Sequence, residues 1–440
     1  MSEHHEREDD GGIAKSAVEF DVRAGRYQVL TLLCISAAVA YVQRAALSVP
    51  AEEIARDLKF TNLAKDMGAI QSAWYLAYAL MQVPSGWLAD RLGSRSALAI
   101  FTVAWSMATL LSAFANGFYS LLFLWGLMGA AQAGAFPCAA KALGRIFPEA
   151  ERARSTGLLA AGMTIGGAIA PVLAAYCLQG LTGPAQQLGV ERWRLLLMAY
   201  AIPGILWTGF FLWIVTLTKL PSVDVSQSTS ALRWSTMLRS LPLMLLCGQQ
   251  FFRAAGMVFF TTWFPTFLQK TRGVSQLDSG ILTTVAGIGG VVGSLTGGYF
   301  SDWLLKKTGN PRLSRQGIAV VGMSCCALLI LLSYFVKDTY QSITLISLGA
   351  FFATFGGVSG YAVAISYGGR HVATVFSTMN MFGNFGASLF PLTAGWLVAQ
   401  TENWNLILFL FAGVMAIDAV CWALLNPRGT IFGDEQDGSH

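Results

Sequence analysis

Twelve stretches of this sequence are apolar over about twenty residues or more: 27–49, 67–89, 96–116, 118–140, 155–178, 195–217, 241–268, 277–301, 315–336, 341–367, 372–399 and 404–425. A helix needs about 20 such residues to cross the roughly 30 Å hydrocarbon core of a bilayer. A strand-built membrane protein would instead show short alternating segments closing into a barrel, because backbone N–H and C=O groups cannot stay unpaired in lipid. These runs are long and unbroken. The expected fold class is therefore an all-α integral membrane protein with twelve transmembrane helices. The chain is 54% hydrophobic and 12% charged, against about 25% charged residues in soluble domains.

The runs fall into two sets of six. Gly86-Trp87-Leu88-Ala89-Asp90-Arg91-Leu92 closes the second run, and 212 positions later Gly298-Tyr299-Phe300-Ser301-Asp302-Trp303-Leu304 closes the eighth. A repeat at that distance marks two related halves, the arrangement by which many secondary transporters place a site on their pseudo-axis. The expected layout is a disordered tail at 1–25, a six-helix half at 26–217, a Ser/Thr-rich linker at 218–240, a second six-helix half at 241–425 and a tail at 426–440. No short apolar core with a cleavage site precedes the first run, which is expected to act as an uncleaved insertion signal.

Cations set the orientation. With both termini in the cytoplasm, 19 of the 29 Lys and Arg residues lie in inner tails and loops and 8 in outer loops. This asymmetry satisfies the positive-inside rule, so the net charge of +5 reads as topology and not as a nucleic-acid surface. Cys34, Cys138, Cys177, Cys247, Cys325, Cys326 and Cys421 fall in or beside the runs without ligand spacing. They read as small packing residues, with no metal or cofactor expected. No nucleophile elbow, phosphate-cradling loop or histidine cluster is present, so an enzyme is not expected. The short outer loops point to a monomer.

The repeated motif has its own mechanics. Gly86 and Gly298 are expected to let a neighbouring helix come close. Asp90, with Arg91 and Arg95 and the second copy at Asp302, is expected to form a latch at the cytoplasmic end by facing the positive N-terminus of a helix from the other half. Such a latch breaks whenever that side opens. Gly162 and Gly166, and Gly289, Gly293 and Gly297, read as helix-packing faces.

The stretch Gly86 to Arg95, its echo and the twelve runs resemble the major facilitator superfamily over essentially the whole chain after residue 25. Finer features resemble its anion:cation symporter branch, which includes hexuronate, aldonate and sialic acid carriers. These are Tyr41-Val42-Gln43-Arg44-Ala45-Ala46-Leu47-Ser48, Phe136-Pro137 with Lys141, Phe147-Pro148-Glu149-Ala150-Glu151-Arg152, and Trp263-Phe264-Pro265-Thr266-Phe267-Leu268. The resemblance implies a two-domain fold, rocking alternating access and, as location, a bacterial inner membrane. It also exposes a departure. Members often carry an aspartate just before the span 1 arginine and a glutamate four residues before the span 4 Phe-Pro, where this chain has Gln43 and Gln132. An amide keeps hydrogen bonds but does not titrate near neutral pH. Proton symport through those two positions is thus removed, leaving facilitation, exchange or coupling through another group.

Charge gives the substrate class. Arg44 lies inside span 1 and Arg253 inside span 7, its counterpart in the second half. A guanidinium at bilayer depth is costly unless it faces a wet cavity or a counter-ion, and its fork fits a carboxylate or phosphate. No carboxylate in the cavity-lining spans neutralises the two arginines; Asp418 lies in span 12, a peripheral helix in the fold that the resemblance implies. The alternative for either arginine is snorkelling to an interface. Gln71, Tyr75, Tyr78 and Gln82 recur on one face of span 2, and Ser377, Asn380 and Asn384 group in span 11. Such groups suit a hydroxylated organic anion, with Gln43 and Gln132 nearby. The leading expectation is a carrier of a sugar acid or other small carboxylate. An organophosphate/phosphate antiporter and a transporter-like anion sensor are the alternatives. Lys141 and His371, near the cytoplasmic mouth, stay open between site and surface roles.

Overall fold

The computed structural model describes residues 6–147, 149–217, 240–368 and 372–428. Among them it is helical throughout, and ten helices are long and apolar enough to cross a membrane. The two expected spans missing from that ten are both present as helix: span 2, from Leu63 to the kink at Gly93, and span 11, Val372–Thr401. Gln71, Ser72 and Gln82, and Asn380, Asn384 and Ser388, make them more polar than the rest. Their polar faces have a use, because these two helices pack on each other between the halves.

Span 1 belongs to helix Glu6–Arg44, which reaches back into the segment expected to be a disordered tail. Glu, Arg, Asp and Ala in that stretch are compatible with helix. Spans 2 and 3 follow one another in Leu63–Ser112, where Gly93 turns the chain with φ of 77°. A residue with a Cβ would be strained there. Span 4 is interrupted, Phe118–Gln132 then Ala135–Ile146, and span 7 runs as Leu241–Met257, Phe259–Thr262 and Phe264–Arg272. The break in span 4 and the second break in span 7 precede a proline, Pro137 and Pro265, which removes a helix hydrogen bond and crowds the carbonyl four residues back. The remaining spans are Glu149–Gly180, Arg192–Leu217, Gln276–Thr308, Ile318–Phe335, Thr339–Gly357 with Ser359–Gly368, and Leu406–Leu424. Ser275 and Asp338 cap spans 8 and 10 by accepting from the N–H of Asp278 and Gln341.

Burial is inverted relative to a water-soluble bundle. Leu80, Phe123, Leu206, Leu295 and Leu424 are exposed on the outside, whereas Gln43, Gln132, Gln249, Gln250 and Asp418 are buried. That is the arrangement a hydrocarbon solvent selects. The glycine faces pack as the sequence suggests. A Cβ on Gly162 would meet the Cys34 carbonyl at 2.8 Å, and one on Gly289 the Ser347 carbonyl at 3.1 Å. Spans 5 and 8 join the halves on the side opposite spans 2 and 11. All seven cysteines are free thiols.

Candidate functional site: an arginine-lined cleft between the halves

The contacts between the halves gather at one end of the bundle, the end that holds Ser48. Ser72 and Ser388 hydroxyls lie 3.0 Å apart, Gln71 donates to the Thr262 carbonyl, and Tyr75 meets the Thr261 hydroxyl at 3.2 Å. Thr266 donates to the Ser48 carbonyl, and Gln269 and Gln276 donate to that of Val49. Lys270 pairs with Glu52 at 3.1 Å across the same seam. Gly68 faces the Pro391 carbonyl at the closeness only a glycine permits. The bundle is shut there.

At the other end, where Gly93 turns the chain, the picture reverses. Gly86 and Gly298 have no atom within 4 Å of where a Cβ would sit, so the close helix approach expected of them is not made in this conformation. Arg91, Arg95 and Asp302 each have a partner inside their own half. Arg91 stacks on Trp87 at 3.8 Å, Arg95 donates to the Leu212 carbonyl, and Asp302 pairs with Arg315 at 2.6 Å. The Asp90 side chain lies outside the described part, as does His371. A latch across the halves is expected only when this end is closed, so these contacts within each half are those of a conformation in which Gly86 and Gly298 lie apart from any neighbour.

Arg44 ends the span 1 helix, and its guanidinium sits in an aromatic cage. Its carbon lies 4.0 Å from the Trp74 ring centre, 4.3 Å from Tyr41, 5.2 Å from Tyr78 and 6.0 Å from Tyr75. Tyr78 stacks on Trp74 and Tyr75 meets it edge-on. Ring faces hold a cation by quadrupole attraction of about 0.5–2 kcal/mol each without neutralising it. No ion-pair partner reaches Arg44 among the described residues. Its Nε and the Trp74 indole N–H are buried donors without acceptors. Trp74 went unnoticed in the sequence, where an apolar residue among polar ones on span 2 carries no sign of its role.

Arg253 occupies the second wall. Its Nη2 donates to Gln250 at 2.6 Å, its guanidinium lies 5.7 Å from the Tyr361 ring, and its Nε is another buried donor without an acceptor. Gly357 of span 10 makes room for it, since a Cβ there would meet the Arg253 Cδ at 2.9 Å. Gly383 of span 11 does the same for Gln250. Arg253 lies eight residues from Thr261, about 12 Å along the helix axis toward the open end. Asn380 is partly exposed on span 11, and Asn384 donates to its carbonyl.

Gln43 and Gln132 use their amide donors between helices and keep a free acceptor oxygen each. Both are buried, with Gln43 donating to the Tyr200 carbonyl of span 6 and Gln132 to the Ala40 carbonyl of span 1. Their donors tie helices together, since a helix carbonyl away from water is a strong acceptor. Gln71 and Tyr75 belong to the closed seam, so they face the cleft only from its blind end. A surface hollow of about 620 Å³ at the Ser48 end is lined by Asp57, Thr182, Glu191, Arg192 and Arg194, and both of its arginines are already paired. Arg192 bonds Glu53 at 2.9 Å and Arg194 bonds Asp57 at 2.8 Å.

Residues 33–363 match the model of the Major Facilitator Superfamily. The chain belongs to that superfamily. It is 26% identical over 430 residues to a probable sulfoacetate transporter of Cupriavidus necator, covering 94% of this chain and 97% of that protein. It is 27% identical to a D-galactonate transporter of Escherichia coli, with 91% and 95% covered. It is 28% identical to a hexuronate transporter of Bacillus subtilis, with 89% and 92% covered. Among solved structures, it matches a bacterial homologue of the human lysosomal transporter Spinster, inward-facing and occupied, with a TM-score of 0.73, 18% identity, and 91% and 96% covered. A D-xylose-proton symporter matches with a TM-score of 0.70, 15% identity, and 91% and 98% covered. These two likenesses establish the fold. This superfamily member is thus an integral membrane transporter and not an enzyme.

Proposed function

We propose that this transporter carries a small organic anion, a sugar acid or a comparable carboxylate, held between Arg44 and Arg253. The observation that carries this reading is the pair of interior guanidiniums, one per half, each with a buried N–H lacking an acceptor and, among the described residues, no carboxylate within ion-pairing distance. A carboxylate supplies both the charge and the acceptors. The named relatives are a probable sulfoacetate transporter, a D-galactonate transporter and a hexuronate transporter, and each of those compounds contains a carboxylate. Tyr75, Tyr78 and Asn380 supply hydroxyl and amide groups for the remainder of the molecule.

The open end is the cytoplasmic one in this reading, because the Lys and Arg excess lies on that side. Both termini are then cytoplasmic, in a bacterial inner membrane. The halves rock about the seam at the Ser48 end, and the Asp90, Arg91 and Arg95 motif, with Gly86, Gly298 and Asp302, closes the cytoplasmic end in the outward-facing state.

A thermal-shift screen of the purified protein tests the substrate class, with D-galactonate, D-glucuronate, sulfoacetate, sugar phosphates and neutral sugars as ligands. A ligand that binds the folded state raises apparent stability by mass action. Stabilisation by a carboxylate, lost in Arg44→Ala, is the expected result. Stabilisation by sugar phosphates alone would favour phosphate exchange, and stabilisation by neutral sugars in both proteins would overturn the anion reading.

A further inference from the structure

Asp418 of span 12 is fully buried, and neither carboxylate oxygen has a donor among the described residues. The other carboxylates whose side chains are described sit toward the ends of the bundle. A carboxylate enclosed in this way is tolerated only with its proton or beside a cation.

Span 12 packs against spans 7 and 9. A Cβ on Gly256 would meet the Met415 sulfur at 2.6 Å, and one on Gly248 the Cys421 sulfur at 3.5 Å. The two helices therefore run antiparallel in contact, and Asp418, midway between Met415 and Cys421, lies level with the turn of span 7 that holds Arg253. Arg253 is the charged residue that span 7 places at that level. The other titratable neighbours are Cys326 of span 9 and Cys421 of span 12 itself. Span 11 has no titratable residue. The turn Arg312–Gly317 brings Arg312 and Arg315, which are engaged with Asn426 and Asp302. Arg253, unlike Asp418, is partly exposed.

We propose that Asp418 exchanges a proton during transport and thereby sets the charge that Arg253 presents to the anion. With Asp418 protonated, the pair keeps a single positive charge and attracts the substrate. With Asp418 ionised, the pair is neutral and the substrate is held weakly. The proton comes from cavity water as the anion binds, rides as the carboxyl O–H, and returns to water on the far side as the anion leaves. Linkage makes this reciprocal: anion binding favours proton uptake to the extent that the proton favours the anion. Asp418 is a positioning residue acting through Arg253, and the inference rests on the reading of Arg253 as an anion ligand.

The test uses the full-length protein in proteoliposomes with radiolabelled D-galactonate or sulfoacetate, whichever shows counterflow in the wild type. Asp418→Asn is expected to retain counterflow, to lose accumulation driven by a pH gradient, and to bind the anion with a flat pH profile where the wild type weakens as pH rises. Asp418→Glu is expected to keep gradient-driven accumulation. If Asp418→Asn does not purify as a folded, monodisperse protein, Asp418→Ser supplies the non-titrating side chain. Accumulation by the non-titrating variant equal to the wild type would overturn the inference, as would retained counterflow with accumulation lost in both Asn and Glu variants, which marks a structural role. Absence of counterflow for every organic anion in the wild type would instead defeat the transport reading on which the inference rests.

Discussion

Arg44 is held in place by four aromatic rings and, among the described residues, by no carboxylate, so its cation is oriented without being neutralised by them. If it binds the substrate carboxylate, Arg44→Ala removes charge-assisted hydrogen bonds worth about 1.5–3 kcal/mol. Anion affinity should fall roughly 10- to 100-fold, measured by calorimetric titration, while the variant still folds. Arg44→Lys keeps the charge but loses the planar fork that stacks on Trp74, and should recover only part of that affinity. Gly357 offers a second, indirect probe. In Gly357→Ala the new methyl meets the Arg253 Cδ, so the guanidinium must shift. Displacing one charge-assisted hydrogen bond is worth about 1.5 kcal/mol. Binding should weaken by roughly tenfold with little change in unfolding temperature, and unchanged binding would mean that Arg253 does not touch the anion. Both arginines were legible as interior cations in the sequence. The rings around Arg44 were only partly so, because Trp74 reads as one more apolar residue until the cage is seen.

At the scale of the element, glycine acts in two ways. Gly166 packs against the backbone of span 1, where a Cβ would meet the Ala38 Cα at 2.6 Å. Gly166→Leu should overpack that crossing and cost about 1–3 kcal/mol, seen as a lower midpoint of thermal unfolding in detergent. Gly86 faces open space in this conformation. Gly86→Val should therefore leave the unfolding midpoint nearly unchanged yet slow transport, if the helices come together there in the opposite state. Transport at the wild-type rate would remove Gly86 from the proposed latch. The sequence showed both as small residues on long helices. It did not show which had a neighbour, because that depends on the distance between helices from different parts of the chain. The break in span 4 and the second break in span 7 follow from Pro137 and Pro265 directly, since proline's missing N–H is a local fact.

For the whole molecule, the seam at the Ser48 end must part for the cleft to open on that side. Ser72 and Ser388, with hydroxyls 3.0 Å apart, are close enough for a cross-link. A Ser72→Cys, Ser388→Cys pair in a background lacking the native cysteines should form a disulfide under oxidant. Transport should stop and return with reductant, while anion binding from the open end persists. Transport that continues with the bond formed, as verified by mass shift after thiol labelling, would mean that the seam does not part.

The sequence by itself determined the membrane class, the twelve spans, the two halves and the presence of an interior arginine in each. Apolar length, charge asymmetry and an internal repeat are properties of the chain that any bilayer-spanning fold must honour. Tertiary structure decided how the polar residues are used. Gln43 and Gln132 were expected at the substrate, and packing turned their donors to the carbonyls of Tyr200 and Ala40. Asp418, set aside as peripheral, lies fully buried beside the helix of Arg253. Periodicity tells which face of a helix is polar. Which neighbour that face meets, and at which end the halves touch, is settled only when helices far apart in sequence are packed, because hydrogen bonds and Coulomb terms depend on distances of a few ångströms that no single helix contains.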